Sequence, residues 1–392
     1  MFYKQSNFVS LTMLFMALVI TPSCDKSEFN ELLPLTTEVN IHEEEIEDAA
    51  IDFVNTLITP TRTANSLSVQ EIKTIDLHQT RTDVKTPNFY SVSLNDSKGT
   101  VIMFEKSNDI KPLAYFRNEF NIDFDSVLQD TISDFSFIVQ NLIDEAICLD
   151  IDSMPNTTRS GETIEKRVEP KCKVWWSQDA PYNYYCKDSD GNTAKAGCVA
   201  IAGAQALTVL QPKMPEVEDI CSNSTPWNFM NRDIEPDWAN TYAIATFVKF
   251  VGDHCNTHYG KNSTSGSVSK LSKWFKEYDI YDYDAKGAVD VLNTEHGVIV
   301  ANGYRSVHGW GPWEHVVDGH TFLADGYVYT GGTYYFHLNY GWGKEIAKKA
   351  KDAYVLTSKK VWNIDEAREI YGTLYRNQLY YYSYAYRSEM GK

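Results

Sequence analysis

The chain has 392 residues, 36 Lys and Arg against 53 Asp and Glu for a net charge of −17, and 43% hydrophobic residues. That is a globular composition with room for one large domain or two ordinary ones. Residues 25–170 carry −16 of the charge and residues 171–392 only −2, so neither half offers a basic face to a phosphate backbone and nucleic-acid binding is excluded.

From the N-terminus, Lys4 precedes an apolar run from Phe8 to Ile20. The run is too short to span a bilayer and suits the hydrophobic stretch of a signal peptide over residues 1–23. It ends in Ile20-Thr21-Pro22-Ser23-Cys24, which is similar to a bacterial lipobox. A lipidated Cys24 would tether the exported chain to the outer membrane or cell surface, its only contact with a membrane; plain secretion is the alternative. Residues 24–40 read as a polar spacer.

Ile46, Ala49, Ala50, Phe53 and Leu57 recur at three and four residues, which predicts an amphipathic helix over 43–57. Phe89 to Leu94 and Thr100 to Glu105 are strand-like runs around Asn95-Asp96-Ser97-Lys98-Gly99, a hairpin signal. Pro112 begins a third short segment through Tyr115. Leu128, Ile132, Phe135, Val139, Leu142 and Ile143 mark one longer helix from Asp125 to Leu149. This first module, 41–155, is a small α+β unit with no catalytic constellation. Its end from Met154 to Gly161 is small, polar and basic, and 156–170 is a linker open to a protease.

The second module, 171–392, holds all nine Trp. A helix is predicted to open at or just before Cys198 and to close near Pro212; its dipole favours the thiolate at that end. A nucleophilic Cys needs a base and the base an orienting partner. Glu314-His315-Val316-Val317-Asp318-Gly319 starts a strand with a His, and Phe336-His337-Leu338-Asn339-Tyr340-Gly341-Trp342-Gly343 ends another with an amide and a Trp. The order Cys198, His315, Asn339 suits a papain-like triad in which Asn fixes the imidazole tautomer and Trp shields the pair. In an exported chain Cys148, Cys172, Cys186, Cys198, Cys221 and Cys255 allow fifteen disulfide pairings, among which the sequence does not choose. His254, Cys255 and His258 have no second cluster to complete a metal site, so no metal or cofactor is expected.

These motifs together resemble the streptopain family of papain-like cysteine peptidases. The segment from Trp176 to Asn183 is similar to the family's Gln-x-x-Pro-Tyr-Asn element, Gly197-Cys198-Val199-Ala200 with Ala204-Gln205 to its nucleophile helix, and Pro226-Trp227-Asn228-Phe229-Met230 to its Trp-x-x-Met element. The spacing from Val251-Gly252 through Tyr259-Gly260 to Ser265-Gly266 and the segment 336–343 follow it too. The resemblance implies an α+β papain-like catalytic domain, helical part plus antiparallel β part, with Gln178 in the oxyanion hole. It also implies a zymogen whose own prodomain, 41–155, blocks the site until a cut in the linker at Arg159, Lys166 or Arg167. Substrates would be proteins or peptides.

The chain departs from the family pattern at two places. The catalytic His is expected five residues before the Asp of an Asp-Gly pair, where Trp313 stands; His315 is three before Asp318, and a bulge or a two-residue register shift would bring it into place. His308 and His320 are the other candidate bases. Tyr340 replaces a Trp beside Asn339, leaving Trp342 to shield the site. A catalytically impaired papain-like binding protein at the surface is the alternative reading.

Overall fold

The computed structural model describes residues 36–58, 67–77, 88–106, 109–118, 122–130, 133–148, 166–231, 238–261, 263–283, 288–308, 315–343, 350–357 and 378–386. The expected signal peptide, Cys24, Arg159 and Trp313 lie outside them. Residues 1–41 form a unit of their own, of which only the first turns of helix α1 (Thr36–Leu57) are described. Residues 42–392 form the second unit.

In chain order its elements after α1 are β1 (Val69–Thr74), β2 (Asn88–Leu94), β3 (Thr100–Lys106), β4 (Asp109–Arg117), α2 (Phe124–Gln129), α3 (Asp134–Cys148) and β5 (Lys166–Val168). A helical stretch follows, α4 (Cys198–Leu210), α5 (Pro215–Cys221), α6 (Pro226–Met230) and α7 (Trp238–His254), then the short β6 (His258–Tyr259) and β7 (Thr264–Ser265) and helix α8 (Val268–Phe275). Last come β8 (Ile280–Tyr283), α9 (Ala288–Asn293), β9 (Val298–His308), β10 (His315–Thr330), β11 (Thr333–Asn339), β12 (Asp352–Thr357) and β13 (Gln378–Tyr386).

The α+β class is as expected. In α1, Ile46, Ala50, Phe53, Val54 and Leu57 are buried, the stripe that the three-and-four spacing predicts. The hairpin is β2–β3, and the segment at Pro112 is the middle of the longer β4. The single helix expected from Asp125 to Leu149 is instead two, α2 and α3. The break follows from local side-chain competition for backbone groups. Asp130 is extended (φ −76°, ψ 110°), its N–H closes α2 on the carbonyls of Ser126 and Val127, and its carboxylate accepts from the Ser133 N–H at 3.2 Å.

One antiparallel sheet runs through the unit in the order β1-β2-β3-β4-β12-β11-β10-β9-β13-β8, with β5 also paired to β10. The strands of the acidic first module therefore join those of the aromatic-rich second module along one ladder, β4 against β12, with Arg117 opposite Asp352. Alternate residues part between two cores, as a pleated sheet requires. Val298, Val300 and Leu323 pack with the helical layer from α4 to α8, whereas Ile299, Ala301, Phe322 and Ala324 face the core shared with α1, α3 and β1–β4. Helices α4 and α3 thus cover β10 from opposite sides.

The structure also decides two points that the sequence left open. Cys172, Cys186, Cys198, Cys221 and Cys255 are all free thiols, so none of them takes part in the disulfides that export would permit. Lys166 and Arg167, expected in an open linker, form β5 against Tyr329 and Val328. The close approach of this strand needs Gly326, where a Cβ would lie 2.7 Å from the Val168 carbonyl oxygen.

Candidate active site

Gly197, at φ +91°, turns the chain into α4, and Cys198 is the first helical residue, half-buried where the helix N–H groups converge. Backbone bonds bring two other segments to it. The Gln178 carbonyl accepts from the Ala196 N–H at 2.8 Å, two residues before the Cys, and the neighbouring Ser177 makes an antiparallel bridge with Trp342. Gln178, Cys198 and Trp342 are therefore laced together through main chain.

The turn Asn339-Tyr340-Gly341-Trp342 is pinned to the same helix. Gly341 adopts φ +69° and lies so close to α4 that a Cβ would sit 2.9 Å from Ile201 Cγ2, which reserves the position for glycine. One turn further along α4, the Gln205 amide donates to Asn339 Oδ1 at 3.2 Å and to the Val174 carbonyl at 3.2 Å. Asn339 Oδ1 also accepts from the Gly341 N–H at 3.1 Å, and its Nδ2 donates to the Val174 carbonyl at 3.1 Å, with Cys172 Sγ at 3.9 Å. The side chain is 1% exposed, and both lone-pair directions and both amide hydrogens are engaged. Among the described residues Asn339 bonds no imidazole, and its bonds shape the turn.

The imidazole at this turn belongs to His320. Its Nε2 donates to the Tyr340 carbonyl at 2.9 Å, and its ring stacks on Trp342 with centroids 5.2 Å apart at 26°. Since a carbonyl only accepts, the proton of the neutral ring is on Nε2 and Nδ1 is the basic nitrogen. Tyr340 continues the stack, 4.6 Å from Trp342 at 22°. Tyr340, Trp342 and His320 thus form one continuous stack. His315 opens β10 opposite His308, and the pairing continues without a bulge to Ala324. The register shift expected to correct its position does not occur, and five residues on, His320 takes the opposite parity of the strand. The signal was legible, because His320 stands five residues before Asp325-Gly326, the spacing that was sought before the first Asp-Gly pair.

The acidic module reaches the same stack. Phe135 of α3 meets Trp342 edge-on at 5.6 Å, and Phe116 of β4 meets Phe135 at 5.5 Å.

Behind the stack lies a buried chain of charge that the sequence reading missed. His337 shares Nδ1 with Asp325 Oδ1 at 2.6 Å and Nε2 with Asp352 Oδ2 at 2.9 Å, and all three side chains are fully buried. Arg117 of β4 completes it with a two-pronged bond to Asp352, Nε to Oδ1 at 2.7 Å and Nη2 to Oδ2. Burial works against the charged imidazole, but Asp325 and then Asp352 outweigh it and push His337 up to about 9. Burial likewise opposes the Asp352 carboxylate, yet the bonds from Arg117 and His337 hold it below its ordinary range. The His254–Cys255–His258 stretch does not converge: His254 stacks on Trp274 at 4.3 Å, while Cys255 is fully buried.

Residues 176–346 match the model of the Peptidase C10 family. No curated protein matches the chain. Among solved structures, a fragment of prointerpain A from Prevotella intermedia is similar at 17% identity, over 80% of this chain and 98% of its own, with a TM-score of 0.49. The active wild-type interpain A cysteine protease from the same organism is similar at 19% identity, over 56% of this chain and 94% of its own, with a TM-score of 0.37.

Proposed function

We propose, from the match of residues 176–346 to the Peptidase C10 family model, that the chain is an exported cysteine endopeptidase, made as a zymogen, that cuts extracellular protein through Cys198 and His320. The observation that carries this reading is the His320 imidazole, bonded to the Tyr340 carbonyl and stacked on Trp342 in a turn that is itself fixed to the Cys198 helix. His320 replaces His315 as the base, and the Tyr340 carbonyl takes the orienting part expected of Asn339. With a His in family register, the alternative of an impaired surface binder loses the shifted base that favoured it.

In the reaction, Cys198 attacks the scissile carbonyl carbon as thiolate, with the His320 imidazolium as its ion-pair partner. The oxyanion is met by the Gln178 amide and the Cys198 N–H. The Nδ1–H of His320 protonates the leaving amine, and water, deprotonated by the same nitrogen, hydrolyses the thioester.

Residues 41–155 act as the prodomain, holding Trp342 through Phe135 until the chain is cut. Lys166 and Arg167 are poor cutting sites, since β5 is paired and Arg167 bonds the Thr56 carbonyl of α1; Arg159 is the preferred one. Signal cleavage and lipidation at Cys24 would place the enzyme at the outer membrane or cell surface.

The test is labelling with an epoxide thiol inhibitor, together with casein hydrolysis, before and after limited proteolysis. Labelling at Cys198 that rises after the cut is expected. A Cys198→Ala chain that still degrades casein would sink the reading.

A further inference from the structure

Cys198, Ile201 and Gln205 stand at positions i, i+3 and i+7 of α4, so they share one face of the helix, with about 10 Å of axis between the first and the last. That face bears on the turn at two points. Ile201 lies against Gly341, and Gln205 Nε2 donates to Asn339 Oδ1 and to the Val174 carbonyl, each at 3.2 Å. The donors are fixed from one end: the Gly341 N–H can only donate, so the Asn339 atom that faces it at 3.1 Å is Oδ1, and the Gln205 atom that meets Oδ1 must be Nε2. Val174 lies four residues before Gln178. One amide therefore joins the Cys198 helix, the segment leading to Gln178 and the turn that receives His320. The arrangement leaves Gln205 Oε1 without a donor among the described residues, in a side chain that is fully buried. Apart from Gln205 and Thr208, the buried residues of α4 are apolar or glycine. Such a helix gains no stability from an amide with its oxygen unmet, since an unpaired buried acceptor is unfavourable where an apolar side chain of the same length is not.

We infer that Gln205 is a positioning residue for the reaction proposed above: it sets the turn from Asn339 to Trp342 against α4 and, through the Tyr340 carbonyl, holds the His320 imidazole for its ion pair with Cys198. The inference rests on that reading of Cys198 and His320. Gln205 does not touch the reacting atoms. It acts because it shares one rigid helix with the thiol, so a turn docked at both Ile201 and Gln205 keeps a fixed distance from Cys198. A turn docked at Ile201 alone pivots about a single contact. Displacement of a reacting pair by about 1 Å costs on the order of 100-fold in rate, which is the scale of the effect expected here.

The test is Gln205→Met in the full chain cut in its linker, because Met keeps the length and helix preference of Gln and gives up both donated bonds together with the unpaired oxygen. Peptide hydrolysis should lose on the order of 100-fold in kcat with KM within about threefold, and Tm should stay close to that of wild type. The rate at which iodoacetamide labels Cys198 across pH is the second readout. Wild-type labelling should level off in mildly acidic solution, where the imidazolium still holds the thiolate, and labelling of the variant should go on falling. Asp325, His337, Asp352 and Arg117, the buried charge chain behind the turn, are the same in both proteins, so a changed profile reports on the turn. If Gln205→Met does not fold, Gln205→Glu carries the test: it keeps the shape, offers at most one donor, and should show the same loss of kcat and the same change of profile. A variant whose kcat stays near wild type overturns the inference. So does one whose kcat and Tm fall together with the labelling profile unchanged, which is what a merely structural amide gives. A wild-type chain that after the cut neither labels nor hydrolyses peptide overturns the peptidase reading and this inference with it, whereas an active wild type beside an unaffected variant overturns this inference alone.

Discussion

The imidazole of His320 lies against the indole of Trp342, 5.2 Å between centroids, with its Nε2 on the Tyr340 carbonyl. This relationship selects one histidine among the candidates. His320→Ala in the cut protein should lower kcat/KM by roughly 10²–10⁴-fold, and His315→Ala should leave it within about threefold. The reverse result would return the base to His315.

Asn339 gives a different signature. Asn339→Ala leaves the Gly341 N–H without its partner and takes one of two bonds each from the Gln205 amide and the Val174 carbonyl, at about 1–3 kcal/mol for each buried group that stays unpaired. Activity and Tm should fall together. A loss of kcat with Tm unchanged would restore Asn339 as an orienting residue.

Phe135 touches the stack from helix α3 of the first module. Phe135→Ala should let the uncut chain react with the thiol inhibitor measurably faster than wild type, because the edge-on ring that braces Trp342 is gone. Labelling of the uncut variant at the wild-type rate would show that α3 does not restrain the site.

The buried chain of charge predicts a pH profile. His337 is raised from 6.5 to about 9 in the folded protein, so its contribution to stability is fully present below about pH 6.5 and is lost as pH rises through 9. Asp352 is lowered, so its contribution is present above the ordinary carboxylate range and is lost in more acidic solution. Thermal melts of the Cys198→Ala chain should therefore be flat from about pH 5 to 6.5 and decline toward 9. His337→Gln should remove the alkaline decline, and an unchanged decline would show that another group causes it.

Trypsin should separate the accessible basic residues from the buried ones. The first new N-terminus is expected to follow Arg159, with cutting after Arg167 much slower because its side chain is 16% exposed and its strand is paired. Sequencing the early product decides it, and a first cut after Arg167 would mean that β5 opens readily.

Local pattern was enough to place α1, the β2–β3 hairpin, α4 and Cys198 at its start, because each depends on periodicity or capping within a dozen residues. The same reading fused α2 with α3, since their apolar spacing continues across Asp130, where among the described residues the Asp130 and Ser133 side chains bind backbone N–H groups instead. The acidic first module and the aromatic-rich second one were visible as composition. That their strands share one ladder was not, because no local preference records the pairing of Arg117 with Asp352, 235 residues apart.

The sequence by itself determined that Cys198 opens a helix, the family resemblance and the turn that carries Trp342. Tertiary structure decided which histidine meets that turn, what Asn339 holds, and that an arginine of the first module completes a buried charge chain. Those choices depend on strand register and on which charges lose their water together, and both are properties of the assembled sheet.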